Sequence, residues 1–590
     1  MTSRVSTEVA YPPQALREYA FLADGHRGAL IGPRGDVSFL CAPTWDSPTV
    51  FARLLGGTGM YAVTPSETFV WGGYYEPASL IWRSHWMTTD CLVECREALA
   101  QPSDGHRVVL LRRIEPGGPQ PARLDVSLEL GADFGRSTQK VRRDGDGRWV
   151  IESGDLTCRW SGADPATQDD DGVLRLRLEV SPGQHHDLVL EISDRRLPDP
   201  VDPDEAWRAT AEYWKRAVPQ FGSSAAPRDS QHAYAVLRGL TAPGGGMVAA
   251  STLGLPERAD AGRNYDYRYV WLRDQAYMGI AAAVHEPWPL LDEAVSVTTA
   301  RVLEHGDRIA PAYRAEGRLP PREEHLDLPG YPGGAVVVGN WVRGQFQLDG
   351  CGEMLQLYAT STRHDHLQSE DYRAITTLVD VIAKRWEKPD AGVWELDDAW
   401  WTQSRLACVA GLRSVAEQVA AVDTTRVLSL ADVIMAETSK RSLGSDGAWM
   451  QAPDRPRVDA SLLLPPVREA LSPTDPRSLA TMAKVAQELV EDGYVYRYAA
   501  DGRPLGEAEG AFLMCGFAMC LARLAAGDVL EAFRWFERQR AACGPAGLLS
   551  EEFDVRQRQL RGNLPQGFVH ALLLECSQRL GDNDHGADAT

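Results

Sequence analysis

The run Arg263-Asn264-Tyr265-Asp266-Tyr267-Arg268-Tyr269-Val270-Trp271-Leu272-Arg273-Asp274 packs four aromatics, three arginines and two aspartates into twelve residues. Arg and Asp offer paired hydrogen bonds to vicinal hydroxyls, and Trp and Tyr offer flat apolar faces with a polar tip, the combination a sugar ring demands. Asp274 also reads as a simple helix-opening acid that complements the helix dipole, and the run alone leaves both readings open. A second cluster, Gly392-Val393-Trp394-Glu395-Leu396, sets a carboxylate directly after a tryptophan in an apolar loop. Such a setting lets a carboxyl group keep a proton that it can donate. A solvated loop Glu beside a packing Trp is the plainer alternative. The third, Leu548-Leu549-Ser550-Glu551-Glu552-Phe553, follows an apolar run. Adjacent carboxylates usually mark a wet surface, but on an extended backbone they point opposite ways, so only one could enter a cleft. Two carboxylates on separate segments, one acid and one base, are the minimum equipment for glycoside hydrolysis.

Two kinds of element must position these clusters. Between about Arg27 and Ile192 apolar and polar residues alternate, as in Leu124-Asp125-Val126-Ser127-Leu128-Glu129-Leu130, with turn clusters such as Asp144-Gly145-Asp146-Gly147 between the runs. This predicts antiparallel hairpins in a β-sandwich over residues 1–200. Past the proline-rich stretch 198–203 the period changes. Trp207, Ala211 and Trp214 share a helix face in a linker over residues 201–229. From 230 to 590 eleven helical segments recur with almost no strand signal, apolar on more than one side, as expected of helices packed between neighbours. A closed ring of helix pairs, a solenoid and a bundle all remain compatible with that periodicity.

The 590 residues exceed any single small module, and the formal net charge of −21 disfavours nucleic acid as a partner. The longest apolar stretch, 511–522, falls short of a bilayer span. The N-terminal stretch MTSRVSTEVAYPPQ does not read as a leader, so a cytoplasmic location is expected, with the ten scattered cysteines reduced and mostly buried. Asp169-Asp170-Asp171-Gly172 reads as a hairpin turn, because calcium-loop alignment would put Thr167 and Leu178 where Asp and Glu are required. No metal, nucleotide or serine-hydrolase motif stands out, so neither metal nor cofactor is expected.

Over nearly its whole length the chain resembles glycoside hydrolase family 15, the glucoamylase and bacterial trehalase-like group. The three clusters carry the likeness, together with Leu16–Asp24, Pro43–Phe51, Val338-Gly339-Asn340, Gln347-Leu348-Asp349, Asp459–Leu463 and Glu491–Tyr498, in the family's order. The resemblance implies an N-terminal antiparallel β-sandwich, a linker helix and an (α/α)6 barrel whose loops form a dead-end pocket for a terminal glucose. It implies Glu395 as general acid and Glu551 as general base in an inverting reaction. Arg273, Asp274 and Arg497 would grip the glucose hydroxyls, Trp271 and Trp394 would wall the pocket, and Tyr267 would stand beside the attacking water. Asn340, Trp341 and Glu552 complete the expected substrate-binding set. Trp341-Val342-Arg343 departs from the family's run of small residues, which implies a narrower and more cationic leaving-group side. Trp401-Thr402-Gln403-Ser404, Leu564 and Gly567 depart as well.

The leading expectation is an exo-acting α-glucosidase releasing β-glucose from short α-glucosides. The alternatives are a dedicated α,α-trehalase and a non-catalytic glucan-binding protein. The expected partner is a small α-glucoside, and the oligomeric state is left open.

Overall fold

The computed structural model describes residues 11–257, 263–499, 503–507 and 509–587. Most of the N-terminal stretch read for a leader therefore lies outside the described residues. Among those described, no helix is long and apolar enough to cross a membrane.

The alternating segments form two eight-stranded antiparallel sheets. One runs Ala20–Ala23, Gly28–Ile31, Asp36–Cys41, Met60–Pro65, Ala122–Glu129, Leu174–Val180 and Thr167–Gln168, with Thr49–Phe51 paired against Asp36–Cys41. The other runs Gln139–Arg143, Trp149–Ser153, Leu156–Ser161, His186–Ser193, Arg107–Pro116, Leu92–Leu99, Trp82–Met87 and Val70–Tyr75. Leu124, Val126 and Leu128 are buried, while Arg123 and Asp125 are exposed, so the period of two buries one face of the strand. Large rings fill the core, among them Trp82, Trp86 and Trp160. A buried Arg112–Glu97 ion pair of 2.9 Å also lies inside, with Arg112 over the Tyr61 ring. The acidic run at 169–172 is the hairpin turn the sequence indicates: Asp169 Oδ1 accepts the Val173 N–H at 2.9 Å and Gly172 takes φ +86°.

The helix Pro203–Ala217 is capped by the Asp202 side chain and buries Trp207, Thr210 and Trp214. It lies on the β-domain, where Thr210 Oγ1 accepts the Gln101 N–H at 2.9 Å and Arg96 stacks over Trp207.

The remaining helices close into a double ring. The inner ring consists of Leu272–Ala281, Leu348–Arg363, Thr402–Gln418, Ala460–Leu463 continued by Leu464–Val467, Leu513–Ala525 and Gly567–Ala587. Each packs on the next, and the last packs on the first. Pro227–Leu240, Pro289–His305, Ser369–Arg385, Thr424–Ser442, Pro476–Glu488 and Val529–Arg540 form the outer ring. Burial sorts the two rings. All ten residues of Leu272–Ala281 are buried, against four of thirteen in Pro476–Glu488. This is an (α/α)6 barrel, and it explains why several segments are apolar on more than one side. The sequence shows eleven helical segments. The twelfth piece, 460–467, escapes the periodicity because Pro465 and Pro466 interrupt so short a pattern. The inner helices at 348–363 and 402–418 cross so closely that a Cβ on Gly352 would lie 2.2 Å from the Ala407 carbonyl oxygen.

Arg268 ties barrel to sandwich. Its guanidinium donates to the Ser47 carbonyl at 2.7 Å and to the Trp45 carbonyl at 3.2 Å, and it is paired at 2.8 Å with Asp266, which is fully buried as Arg268 is. The Gly330 N–H to Leu55 carbonyl bond and an Arg314–Asp46 ion pair cross the same junction. All ten cysteines are free, and nine are buried.

Candidate active site

At one mouth of the barrel a cleft of about 710 Å³, counting its opening, gathers residues from all three sequence clusters. Tyr267, Trp271, Arg273, Asp274, Trp341, Trp394, Glu395, Arg497 and Glu551 all line it.

Glu395 enters on a tight loop. Asp390 Oδ1 accepts the Gly392 N–H at 2.9 Å and the Ser404 hydroxyl at 2.9 Å, and Arg405 pairs with the same carboxylate. Gly392 has φ +67°, and a Cβ there would meet Trp401 at 2.6 Å. Glu395 itself takes φ +55°, an uncommon backbone for a side-chain-bearing residue and one that functional sites often hold. Its Oε1 accepts the Trp271 indole N–H at 2.7 Å and stands 3.7 Å from Arg273. Arg273 in turn donates to Gln347 Oε1 at 3.0 Å and to the Val393 carbonyl at 3.3 Å, so it clasps the acid's own loop.

Glu551 stands on a different segment, just before the strand Glu552–Asp554. Tyr267 donates toward its Oε1 at 3.3 Å, while its Oε2 is buried with no hydrogen-bond partner. Burial, then the nearby Glu257 carboxyl, push the Glu551 carboxyl well above the usual carboxylate range, with Arg497 opposing. The two carboxylates are thus held by different rings: Glu395 by the Trp271 indole, Glu551 by the Tyr267 phenol. Those rings meet edge to face with centroids 5.6 Å apart.

Around them the walls are built for hydroxyls and a ring face. Burial raises Asp274 to about 7, with Arg273, whose Nε stands 3.4 Å from Asp274 Oδ1, lowering it and Glu395 raising it. Trp394 is fixed by its indole N–H to Asp459 at 2.9 Å, and Asp459 also accepts from Gln451 and Ser461. Arg497 makes a paired bond to Glu509 at 3.0 and 2.5 Å and lies over Trp394 and Phe512. Trp341, 43% exposed, stands at the rim.

Two expected contacts require correction. Asn340 is buried behind the wall. Its Oδ1 accepts the Val342 N–H at 2.9 Å and its Nδ2 donates to the Asp266 carbonyl at 3.2 Å, so it caps the 341–344 turn. Glu552 begins the strand paired with Gln559–Arg561 and so points opposite to Glu551. Fully buried, it accepts the Gly510 N–H at 2.8 Å and lies 3.8 Å from Arg497. Neither lines the cleft. Within the first cluster, Asp266 and Arg268 serve the domain junction and not the pocket. Glu257 and Glu509 are absent from the sequence reading, although Glu257 lines the cleft and Glu509 holds Arg497. Each is a lone acid after an unremarkable loop, and only the fold brings it to the others.

A family model described as glycosyl hydrolases family 15 matches residues 231–578, and one described as trehalase-like, N-terminal, matches residues 10–214. The chain belongs to glycosyl hydrolases family 15. The family 15 enzyme is a glycoside hydrolase, and it is similar to a trehalase of Mycobacterium tuberculosis, 28% identical over 98% of this chain and 91% of that protein. It is also similar to trehalase 1 of Sulfolobus acidocaldarius, 27% identical over 95% of this chain and 98% of the relative. Among solved structures, a bacterial glucoamylase complexed with acarbose shares the fold of the family 15 enzyme. Its TM-score is 0.72 over 99% of this chain and 97% of its own, at 13% identity.

Proposed function

We propose that this family 15 hydrolase is an α,α-trehalase that works by inversion, in place of the broader exo-α-glucosidase that leads the sequence reading. The observation that carries the proposal is likeness along the whole chain, β-domain included, to proteins named trehalase. The geometry supplies a mechanism. One glucose of the disaccharide occupies the cleft, with its hydroxyls meeting Arg273, Asp274 and Arg497 and its ring facing Trp394. Glu395 gives its proton to the bridging oxygen as the bond from that oxygen to the anomeric carbon breaks. A water on the opposite face forms the new carbon–oxygen bond and loses a proton to Glu551. Tyr267, which points its hydroxyl at Glu551, holds that water. The second glucose leaves past Trp341 at the rim. Because Glu551 must be ionised to accept a proton, the burial that favours its neutral form has to be offset, and Arg497 is the cation placed to do so.

Proton NMR of the anomeric signals within minutes of mixing tests the reading. Trehalose should give one β-glucose and one α-glucose before mutarotation, the first from the attacked ring and the second from the released one. Maltose and isomaltose should remain intact. Cleavage of maltose in preference to trehalose would return the enzyme to the broader α-glucosidase reading, and two α-glucoses from trehalose would contradict inversion.

A further inference from the structure

Glu257 has no part in the mechanism above, yet it shares the Tyr267 hydroxyl with the base. It is buried, and its Oε1 faces the Tyr267 hydroxyl at 3.4 Å, the same hydroxyl that faces Glu551 at 3.3 Å. Burial raises its carboxyl above the usual carboxylate range, and Arg497 and Arg263, each 3.9 Å from its other oxygen, oppose that rise and favour the charged form. Glu509 lies on the far side of both arginines, which donate to it at 3.0 and 2.5 Å. Gly562 lies against both residues: a Cβ there would stand 3.5 Å from Glu551 Cβ and 3.7 Å from Glu257 Cγ.

Behind the catalytic cleft is a separate, larger and open cavity whose described wall includes Tyr496, Glu509, Asp554 and Arg561, and Glu257 lines both spaces. Glu551 lines only the catalytic cleft, which the sugar fills during turnover.

We infer that Glu257 is a relay residue acting through Glu551: it takes the proton that the base receives from water and passes it to solvent in the rear cavity. This rests on the assignment of Glu551 as base. The balance closes. Each turnover leaves Glu395 one proton short and Glu551 one proton in excess. The Glu551 proton moves to the Glu257 carboxylate and then to water behind it, while Glu395 recovers a proton through the cleft mouth. The product therefore does not have to leave before the base is reset.

The test combines rapid-quench and steady-state kinetics on trehalose with the full-length enzyme, comparing wild type with Glu257→Gln, Glu257→Asp and Glu551→Gln. In Glu257→Gln the first turnover should stay within about threefold of wild type while steady-state kcat falls at least about tenfold, and KM should fall with it, because kcat/KM reports only the steps up to bond cleavage. Added formate should restore kcat in part by carrying the proton, and Glu257→Asp should be intermediate. An unchanged kcat, or a first turnover that falls in step with kcat, would overturn the relay. Should Glu257→Gln fail to fold, the same two rates in Glu257→Asp decide the matter, since a relay slows only the second. Glu551→Gln separates the two claims: loss of even the first turnover supports the base assignment, and its retention refutes that assignment whatever Glu257 does.

Discussion

The indole N–H of Trp271 donates to Glu395 Oε1 at 2.7 Å, which links the first sequence cluster to the second across 124 positions of chain. Replacing Trp271 with Phe keeps an aromatic ring in the wall and removes the donor together with the second ring of the indole. A hydrogen bond to a charged group contributes about 1.5–3 kcal/mol, so kcat/KM for trehalose should fall roughly 10- to 100-fold. The thermal midpoint should fall as well, because Trp271 is buried and the smaller ring leaves a void. Steady-state kinetics beside a melting curve would check both.

Glu551 and Glu552 are adjacent in sequence and opposite in space. Glu551→Gln should lower kcat by roughly 10²- to 10⁴-fold, the range general-base removal commands, with little effect on KM. Glu552→Gln should retain most of the turnover and show its effect in thermal stability, because its partners are the Gly510 N–H and Arg497. The reverse pattern in a kinetic assay would move the base by one residue.

Arg268 and Asp266 are a buried charged pair at the domain junction. Arg268→Met removes the bonds to Trp45 and Ser47 and strands the Asp266 carboxylate. Breaking one side of such a pair costs about 3–5 kcal/mol. A chemical denaturation curve should show that loss, and limited proteolysis should cut the junction sooner than in wild type.

Burial raises Asp349 to about 7, with Asp390 and Glu353 adding to the effect and Arg273 opposing it. In the unfolded chain the same carboxyl ionises near 3.8. Below that value both states hold the proton and the stability is complete. As pH rises the unfolded state gives up its proton first, so stability falls until the folded group ionises near 7. The Asp349 contribution to the thermal midpoint should therefore decline from pH 4 to pH 8, so the midpoint of Asp349→Asn relative to wild type should rise across that range.

Much of the protein was legible from residue order alone. Alternation in runs such as 124–130 specifies strands because a half-buried sheet has a period of two, and the change of period after 203 specifies helices for the same kind of reason. Nine of the expected site residues reach one cleft because the motifs that carry them sit at the loops where inner helices begin: Trp271 opens 272–281, and Glu395 lies ahead of 402–418. Residue type could not tell which charged groups face sugar and which hold the frame. Asp266, Arg268, Asn340 and Glu552 look like ligands in a motif, yet each one's hydrogen bonds go to protein. That choice depends on which side of a turn or strand faces the cleft once the two domains close on each other. Glu257 shows the converse. A lone acid in a loop carries no signal, and it gains its chemistry only where barrel closure brings it to Tyr267, Arg497 and Glu551, because electrostatic coupling depends on distance in space and not on position in the chain.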